Sequence, residues 1–150
     1  MRVSALMTKT VHTCSPHDRL DKVARIMWEN DVGAVPVVNE AGRTTAMITD
    51  RDLTMAAYTQ GKPLAEIPVW SAASSRLIAV RPDDAIDTMH ERMRTEGVRR
   101  MPVVGDQGEP VGIVSIADLA RRYSTARDTD GVSGDAIALT LAAIATHRTS

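Results

Sequence analysis

Val32-Gly33-Ala34-Val35-Pro36-Val37-Val38 returns as Val98-Arg99-Arg100-Met101-Pro102-Val103-Val104, a displacement of 66 residues (102 − 36). Held at that displacement without a gap, Gly42 meets Gly108, Asp52 meets Asp118, Leu53 meets Leu119, and Thr49 meets the chemically similar Ser115. Upstream, Pro16 falls on Pro82, Asp18 on Asp84 and Met27 on Met93. Residues 32–53 share seven identities in 22 positions with 98–119, where unrelated segments of ordinary composition share about one or two. The chain is an internal repeat, and its two copies make one fold.

Each copy reads as strand, helix, strand, strand, helix. Val11-His12-Thr13 is a short apolar-polar run, and Ser15-Pro16 with Asp18 signals a helix start. Leu20, Val23, Ala24, Met27 and Trp28 then recur at helical spacing as far as Asn30-Asp31. Val35-Pro36-Val37-Val38 predicts a strand, Asn39 to Arg43 a turn, Thr44 to Thr49 a second strand and Asp50 to Tyr58 a second helix. Pro36 cannot donate to a ladder, so it belongs at a strand start or an edge. The second copy predicts a strand near Leu77 to Val80, a helix over Asp83 to Glu96, strands at Met101 to Val104 and Pro110 to Ser115, and a helix to about Tyr123. Between the copies, Thr59-Gln60-Gly61-Lys62-Pro63 stops a helix, and Leu64, Ile67 and Val69 read as an apolar plug. Residues 124–134 have loop composition, and Ile137, Leu141 and Ile144 form a stripe on a C-terminal helix expected to dock on its own module.

The 150 residues, 43% hydrophobic, suffice for one core or for two half-domains that share one. A net charge of −1 with both signs interspersed offers no broad field for nucleic acid or an anionic membrane. No apolar run approaches the roughly 18 residues of a spanning helix. The lone Cys14 leaves no internal disulfide framework and fits a reducing compartment, so a cytoplasmic protein is expected. With no Phe, two Trp and two Tyr, the core must come from Val, Ile, Leu, Ala and the eight Met.

In each copy an apolar strand ends in a hydroxyl residue, and an aspartate follows three positions later: Thr49-Asp50-Arg51-Asp52-Leu53 and Ser115-Ile116-Ala117-Asp118-Leu119. A hydroxyl at the N-cap with an acid at N3 is a capping box, which satisfies orphan amides and complements the helix dipole. The same arrangement can offer amides and a hydroxyl to an oxyanion while the carboxylate accepts from two ribose hydroxyls. Both readings stand on the spacing alone.

The two Pro-Val-Val strands, the turns at Gly42 and Gly108 and the two hydroxyl-x-x-Asp-Leu endings together resemble the paired cystathionine β-synthase (CBS) domain, or Bateman module. The resemblance covers about residues 3–123 and is strongest to short stand-alone bacterial CBS-pair proteins. It implies an α+β fold of two pseudo-twofold-related βαββα units packed through their sheets, with two ligand clefts and an added C-terminal helix. The division would be 1–61, 62–123 and 124–150. It implies adenine nucleotides (AMP, ADP or ATP) as ligands, with magnesium arriving on their phosphates and S-adenosylmethionine a further candidate.

Carried onto this chain, Asp52 and Asp118 would hold ribose, and Thr49 and Ser115 would contact ribose or phosphate. The base would lie near Val11, His12 and Thr13 in one copy and near Ile78 and Val80 in the other. In nucleotide-sensing members basic residues precede the Pro-Val strand and neutralise phosphates; Arg99-Arg100 stand there, with Arg51 a further contributor. Arginine's planar fork suits phosphate oxygens; the bland reading of the pair is a solvated patch. The first copy has Gly33-Ala34 at that place and Ala46 opposite Gly112, so the two clefts are expected to be unequal, the second favoured.

His12, Cys14 and His17 lack the usual paired ligand spacing, so no metal site is expected. No phosphate-binding glycine loop and no separated acid–base pair occurs, so no catalysis is expected. Cys14 reads as a structural thiol, and Trp28 and Trp70 as packing residues. The functional expectation is a non-catalytic nucleotide-binding regulatory module that signals to an unidentified regulated protein. The alternative is a ligand-free interaction scaffold. A homodimer is implied under either, with Ala56, Ala57, Met89 and Met93 as contact residues or as ordinary core.

Overall fold

The Pro-Val-Val run of each copy is one arm of a two-stranded antiparallel hairpin. In the computed structural model, which describes residues 1–125 and 131–149, β1 (Ala34–Val38) pairs with β2 (Thr44–Thr49), and β3 (Arg100–Val104) with β4 (Pro110–Ser115). Both turns carry a glycine in the left-handed region, Gly42 at φ 79° and Gly108 at φ 76°, where a side chain would be strained. Asn39 pins the first turn by accepting from the Ala41 and Arg43 amides, both at 3.0 Å.

Helices flank each hairpin: α1 (Leu20–Asn30) and α2 (Asp50–Gln60) in the first copy, α3 (Ile86–Glu96) and α4 (Ile116–Thr125) in the second, followed by α5 (Gly134–Thr149). The result is a mixed helix-and-strand fold with two small sheets and a C-terminal helix. The first helix stops where expected, with Asp31 in the left-handed region closing it. It starts later than Ser15-Pro16 suggests. Asp18 instead accepts from the Ser15 amide at 2.8 Å, and Asp84 accepts from the Arg81 amide at the same distance, so each aspartate closes a turn just ahead of its helix.

The strands expected at Val11–Thr13 and Leu77–Val80 are reduced to single parallel bridges, Cys14 with Val37 and Val80 with Val103. Proline explains the truncation. Val38 N donates to Cys14 O at 2.8 Å and Cys14 N to Pro36 O at 3.0 Å; the next donor on that edge would be the Pro36 nitrogen, which has no hydrogen. Pro102 ends the other ladder in the same way, after Val104 N to Val80 O at 2.9 Å and Val80 N to Pro102 O at 3.2 Å.

The described chain divides into two compact units. The first-repeat unit is Val11–Leu77 with Asp106–Pro110; the second-repeat unit takes Met1–Thr10, Ile78–Gly105 and the described residues from Val111 onward. The repeat therefore begins further upstream than its identities show. Val3–Ala5 and Val69–Ser71 are short 3-10 turns, again 66 apart (69 − 3), and each closes the unit built by the other copy. Val3 N donates to Asp84 O at 2.9 Å and Ser4 N to Pro82 O at 2.9 Å; Val69 N donates to Asp18 O at 2.8 Å and Trp70 N to Pro16 O at 3.0 Å.

Each unit has its own apolar core. Leu20, Val23, Val35, Ile48, Ile67 and Val69 are buried in the first, so the expected plug holds for Ile67 and Val69. Met89, Met93, Met101, Val103, Val114 and Leu119 are buried in the second. Ala56, Met89 and Met93 are thus core residues.

Two other expectations fail on burial. Trp28 is 88% exposed and Trp70 is exposed too: the inward stripe of α1 is Leu20, Val23 and Met27, and Trp28, one step on, faces out. On α5 the buried stripe is Ile137, Thr140 and Ile144, and Leu141 stands 47% exposed; α5 docks on α3 and α4 of its own unit, as expected, but through a threonine. The loop expected over 124–134 falls partly on 126–130, outside the described residues.

Candidate functional site

Thr49 ends β2 in an extended conformation (φ −114°, ψ 164°), and α2 begins at the next residue. Its Oγ1 accepts from the Asp52 amide at 3.2 Å, while Asp52 Oδ2 accepts from the Thr49 amide at 2.8 Å. The capping box read from the sequence is present. The Asp50 amide donates to the Gly33 carbonyl at 3.0 Å, tying the loop before β1 to the helix start, and Ala34 pairs with Thr49 across the hairpin.

The second copy repeats this construction. Asp118 N donates to Ser115 Oγ at 3.2 Å, Asp118 Oδ2 accepts from Ser115 N at 2.7 Å, and Ile116 N donates to the Arg99 carbonyl at 2.9 Å. Arg99 and Arg100 are thereby held beside the first turn of α4, Arg99 exposed and Arg100 half-buried. Because the bridge at Cys14 is parallel to β1, Val11, His12 and Thr13 trail back toward the Ala34 end, where Thr49 lies. The Val80 bridge likewise carries Ile78 back toward the Arg100 end of β3. Each unit thus gathers its own extended segment, loop and hydroxyl-x-x-Asp cap at one end of a hairpin. Arg51 sits on the first turn of α2 with an exposed side chain. Val80 is buried, so Ile78 is the more accessible of that pair.

The two caps differ in what remains available. Ser115 Oγ also donates to Asp118 Oδ2 at 2.9 Å, and the Arg121 guanidinium bonds Asp118 Oδ1. At the position 66 residues earlier stands Met55, and among the described residues Asp52 Oδ1 has no partner. No motif marks Arg121, although its place three residues after Asp118 on a helix is the spacing at which side chains meet. Ala46, whose methyl distinguishes the first copy, is buried in the core of its own unit. At Gly112 an added Cβ would come within 2.7 Å of Met7 Sδ and 3.1 Å of the Thr8 carbonyl oxygen, so a methyl there would displace the Met7 side chain and crowd the backbone.

Cys14 is buried, and burial first, with the Asp18 carboxylate adding and Lys22 opposing, pushes its thiol up to about 12. It is protonated throughout the physiological range and is not a nucleophile there. At pH 8, iodoacetamide is expected to alkylate the native protein about a thousandfold more slowly than guanidinium-unfolded protein, whose thiol titrates near 8.5. Mass spectrometry reads the rates, and a native rate within tenfold of the unfolded one would refute the assignment. Among the described residues no three His, Cys, Asp or Glu side chains group as metal ligands, and no helix is long and apolar enough to cross a membrane.

The CBS domain family model matches residues 3–58 and 66–125, and the chain belongs to that family. It is 36% identical over 118 residues to the CBS domain-containing protein YhcV of Bacillus subtilis, covering 79% of this chain and 82% of that one. It is 31% identical over 116 residues to hypoxic response protein 1 of Mycobacterium tuberculosis, covering 77% and 80%. Its fold matches the CBS domain pair of protein MJ0100, solved in complex with 5′-methylthioadenosine and S-adenosyl-L-methionine, at a TM-score of 0.75 and 22% identity over 83% of this chain and 96% of that one.

Proposed function

We propose that this chain is a non-catalytic regulatory module that binds adenine nucleotides, AMP, ADP or ATP, and reports its occupancy to a partner protein. The observation that carries the reading is the duplicated cap: in both units a hydroxyl, an aspartate and a strand-end loop converge at one end of a hairpin. Asp52 and Asp118 would accept from the ribose 2′- and 3′-hydroxyls, and Thr49 and Ser115 would stand nearest the 5′ substituent. Arg99, Arg100 and Arg51 supply positive charge for phosphates, and a magnesium ion would travel with them. Val11, His12, Thr13, Ile78 and Val80 would flank the base. The adenosine shared by nucleotides and by the ligands of the MJ0100 pair supports a nucleoside reading, and keeps S-adenosylmethionine as a candidate.

The two sites are unequal in two opposed ways. The second has the arginine pair, while its aspartate is engaged by Arg121; the first has a free carboxylate oxygen for a diol and fewer cations. A phosphate-rich ligand favours the second and a weakly charged nucleoside the first. Signalling requires that the ligand bind two states of the module unequally. A cytoplasmic homodimer completes the proposal. The second reading, a ligand-free scaffold, is favoured by one observation: Trp28 and Tyr58 are both exposed on the first-repeat unit, and exposed aromatics are the side chains that interfaces use as anchors.

Thermal unfolding against AMP, ADP, ATP and S-adenosylmethionine decides between them. A ligand at a hundred times its dissociation constant stabilises by about 2.7 kcal/mol. A saturable shift is expected with at least one of the four; no shift with any, in a folded protein, leaves the scaffold reading.

A further inference from the structure

In the first-repeat unit α1 and α2 leave an open apolar groove of about 560 Å³, lined among others by Ala24, Met27, Trp28, Leu53 and Ala57. Displaced by 66 residues these positions become His90, Met93, Arg94, Leu119 and Tyr123. In the second-repeat unit α5 packs on that same pair of helices, with Ile137 and Ile144 in one core with Met93 and Leu119. One groove, built twice, is open in one repeat and filled by the chain's own helix in the other.

The filled copy differs where it is polar. Alanine at 24 becomes His90, tryptophan at 28 becomes Arg94, and α5 meets them with Thr140. His90 is 2% exposed and Thr140 0%, and His90 Nδ1 lies 2.8 Å from Thr140 Oγ1. Arg94 Nη1 donates to the same oxygen at 3.5 Å. With the imidazole neutral and protonated at Nε2, the Thr140 hydroxyl accepts from Arg94 and gives its own proton to His90 Nδ1. Protonating Nδ1 would turn it from acceptor to donor and put a second positive charge beside Arg94 in a buried seam. On release of α5 the imidazole regains water.

We propose that α5 is a detachable cap on the α3–α4 groove, latched by the His90–Thr140 hydrogen bond and released when His90 takes up a proton. Release bares on the second repeat the apolar face that the first repeat already presents. The charged groups set against His90 are Asp87 and Arg94, one turn to either side on α3. From α5 it meets Thr140; His147, two turns further on, donates to the Arg94 carbonyl at 2.9 Å. The residues of α4 and of the N-terminal segment in this core, Ile116, Leu119 and Val3, are apolar.

Burial chiefly, with Arg94 adding and Asp87 opposing, holds docked His90 below its ordinary 6.5. The sign follows. The docked state binds fewer protons than the undocked one, so docking is fully favoured above about pH 6.5 and weakens as the pH falls from there toward the docked value. Each unit of depression corresponds to about a tenfold change in the docking constant.

Amide hydrogen exchange of the full chain at pH 8 and pH 5, corrected for the chemical exchange rate, tests the cap. Protection of α5 is expected to be lower at pH 5 than at pH 8, with α1 unchanged. H90N, which keeps a hydrogen-bonding group near Thr140 and cannot titrate, should abolish most of that drop, and T140V should loosen α5 at both pH values. Flat protection in the wild type, or the same drop in H90N, overturns the proposal, the latter transferring the effect to another group such as His147. If H90N does not fold, NMR titration of the wild-type imidazole decides: a His90 midpoint at or above 6.5 overturns the latch, and one below it that coincides with loss of α5 protection sustains it.

Discussion

Asp52→Ala is expected to remove most of the ligand-induced stabilisation contributed by the first-repeat site, and Asp118→Ala that of the second. A carboxylate that accepts from both hydroxyls of a ribose makes two charge-assisted hydrogen bonds, each worth about 1.5–3 kcal/mol. Their loss should weaken binding about a hundredfold or more, at roughly 1.4 kcal/mol per factor of ten. At a ligand concentration that stabilises the wild type by about 2.7 kcal/mol, the variant site would then sit near half-saturation and contribute about 0.4 kcal/mol.

The same substitution also breaks a reciprocal cap, since Asp52 Oδ2 holds the Thr49 amide at 2.8 Å, and cap removal by itself costs about 0.5–2 kcal/mol of ligand-free stability. Thr49→Ala separates the two roles. It removes the hydroxyl that holds the Asp52 amide and leaves the carboxylate. If the aspartate only caps, both variants lose similar stability and keep similar ligand shifts; if it binds ribose, Asp52→Ala loses the shift and Thr49→Ala keeps most of it. Calorimetric titration alongside thermal unfolding reads both quantities. For a weakly charged nucleoside the effect should be larger at Asp52 than at Asp118, because Arg121 already engages the latter.

The repeat made the hairpins, the helices and the caps legible, because those features depend on residues near one another in sequence. A Thr or Ser that ends an apolar strand and is followed three residues later by Asp closes into a helix cap through local contacts, and it does so twice. What stayed hidden depends on contacts with distant residues. Val3 and Val69 occupy equivalent places, yet around them Ser4-Ala5-Leu6 and Trp70-Ser71-Ala72 share nothing that announces a duplicated turn. Their role is written in backbone bonds to Asp84 and Asp18, which no side-chain pattern records. Leu141 looked like the middle of the α5 stripe because hydrophobicity was the only guide. The helix instead turns Thr140 inward, since the groove it covers holds His90, and a buried imidazole needs a hydrogen-bonding partner. Trp28 misled for a related reason: the groove it borders has nothing over it in the described chain.

Leu119→Ala is expected to cost about 2–5 kcal/mol, the range for truncating a fully buried leucine whose surroundings collapse only partly. Leu119 has no exposed surface and shares a core with Met89, Met93 and Met101. At about 2–4 °C per kcal/mol for a chain of this size, the midpoint of thermal unfolding should fall by roughly 5–20 °C. Leu141→Ala is the matched control. It deletes the same atoms from the exposed face of α5 and should stay within about 0.5 kcal/mol of the wild type. The methionine-rich surroundings bear on the size of the loss, because unbranched thioethers adapt to a gap better than β-branched side chains do; a value near the lower end of the range would mean that Met89 and Met93 relax into the space. Leu119 also directly follows Asp118, so it anchors the first turn of α4 that aims the carboxylate. The bonds between Asp118 and Ser115 hold the carboxylate as well, so in the folded fraction of Leu119→Ala ligand affinity at the second site should fall by much less than in Asp118→Ala. A comparable fall would mean that the core positions the carboxylate as tightly as its own hydrogen bonds to Ser115 do.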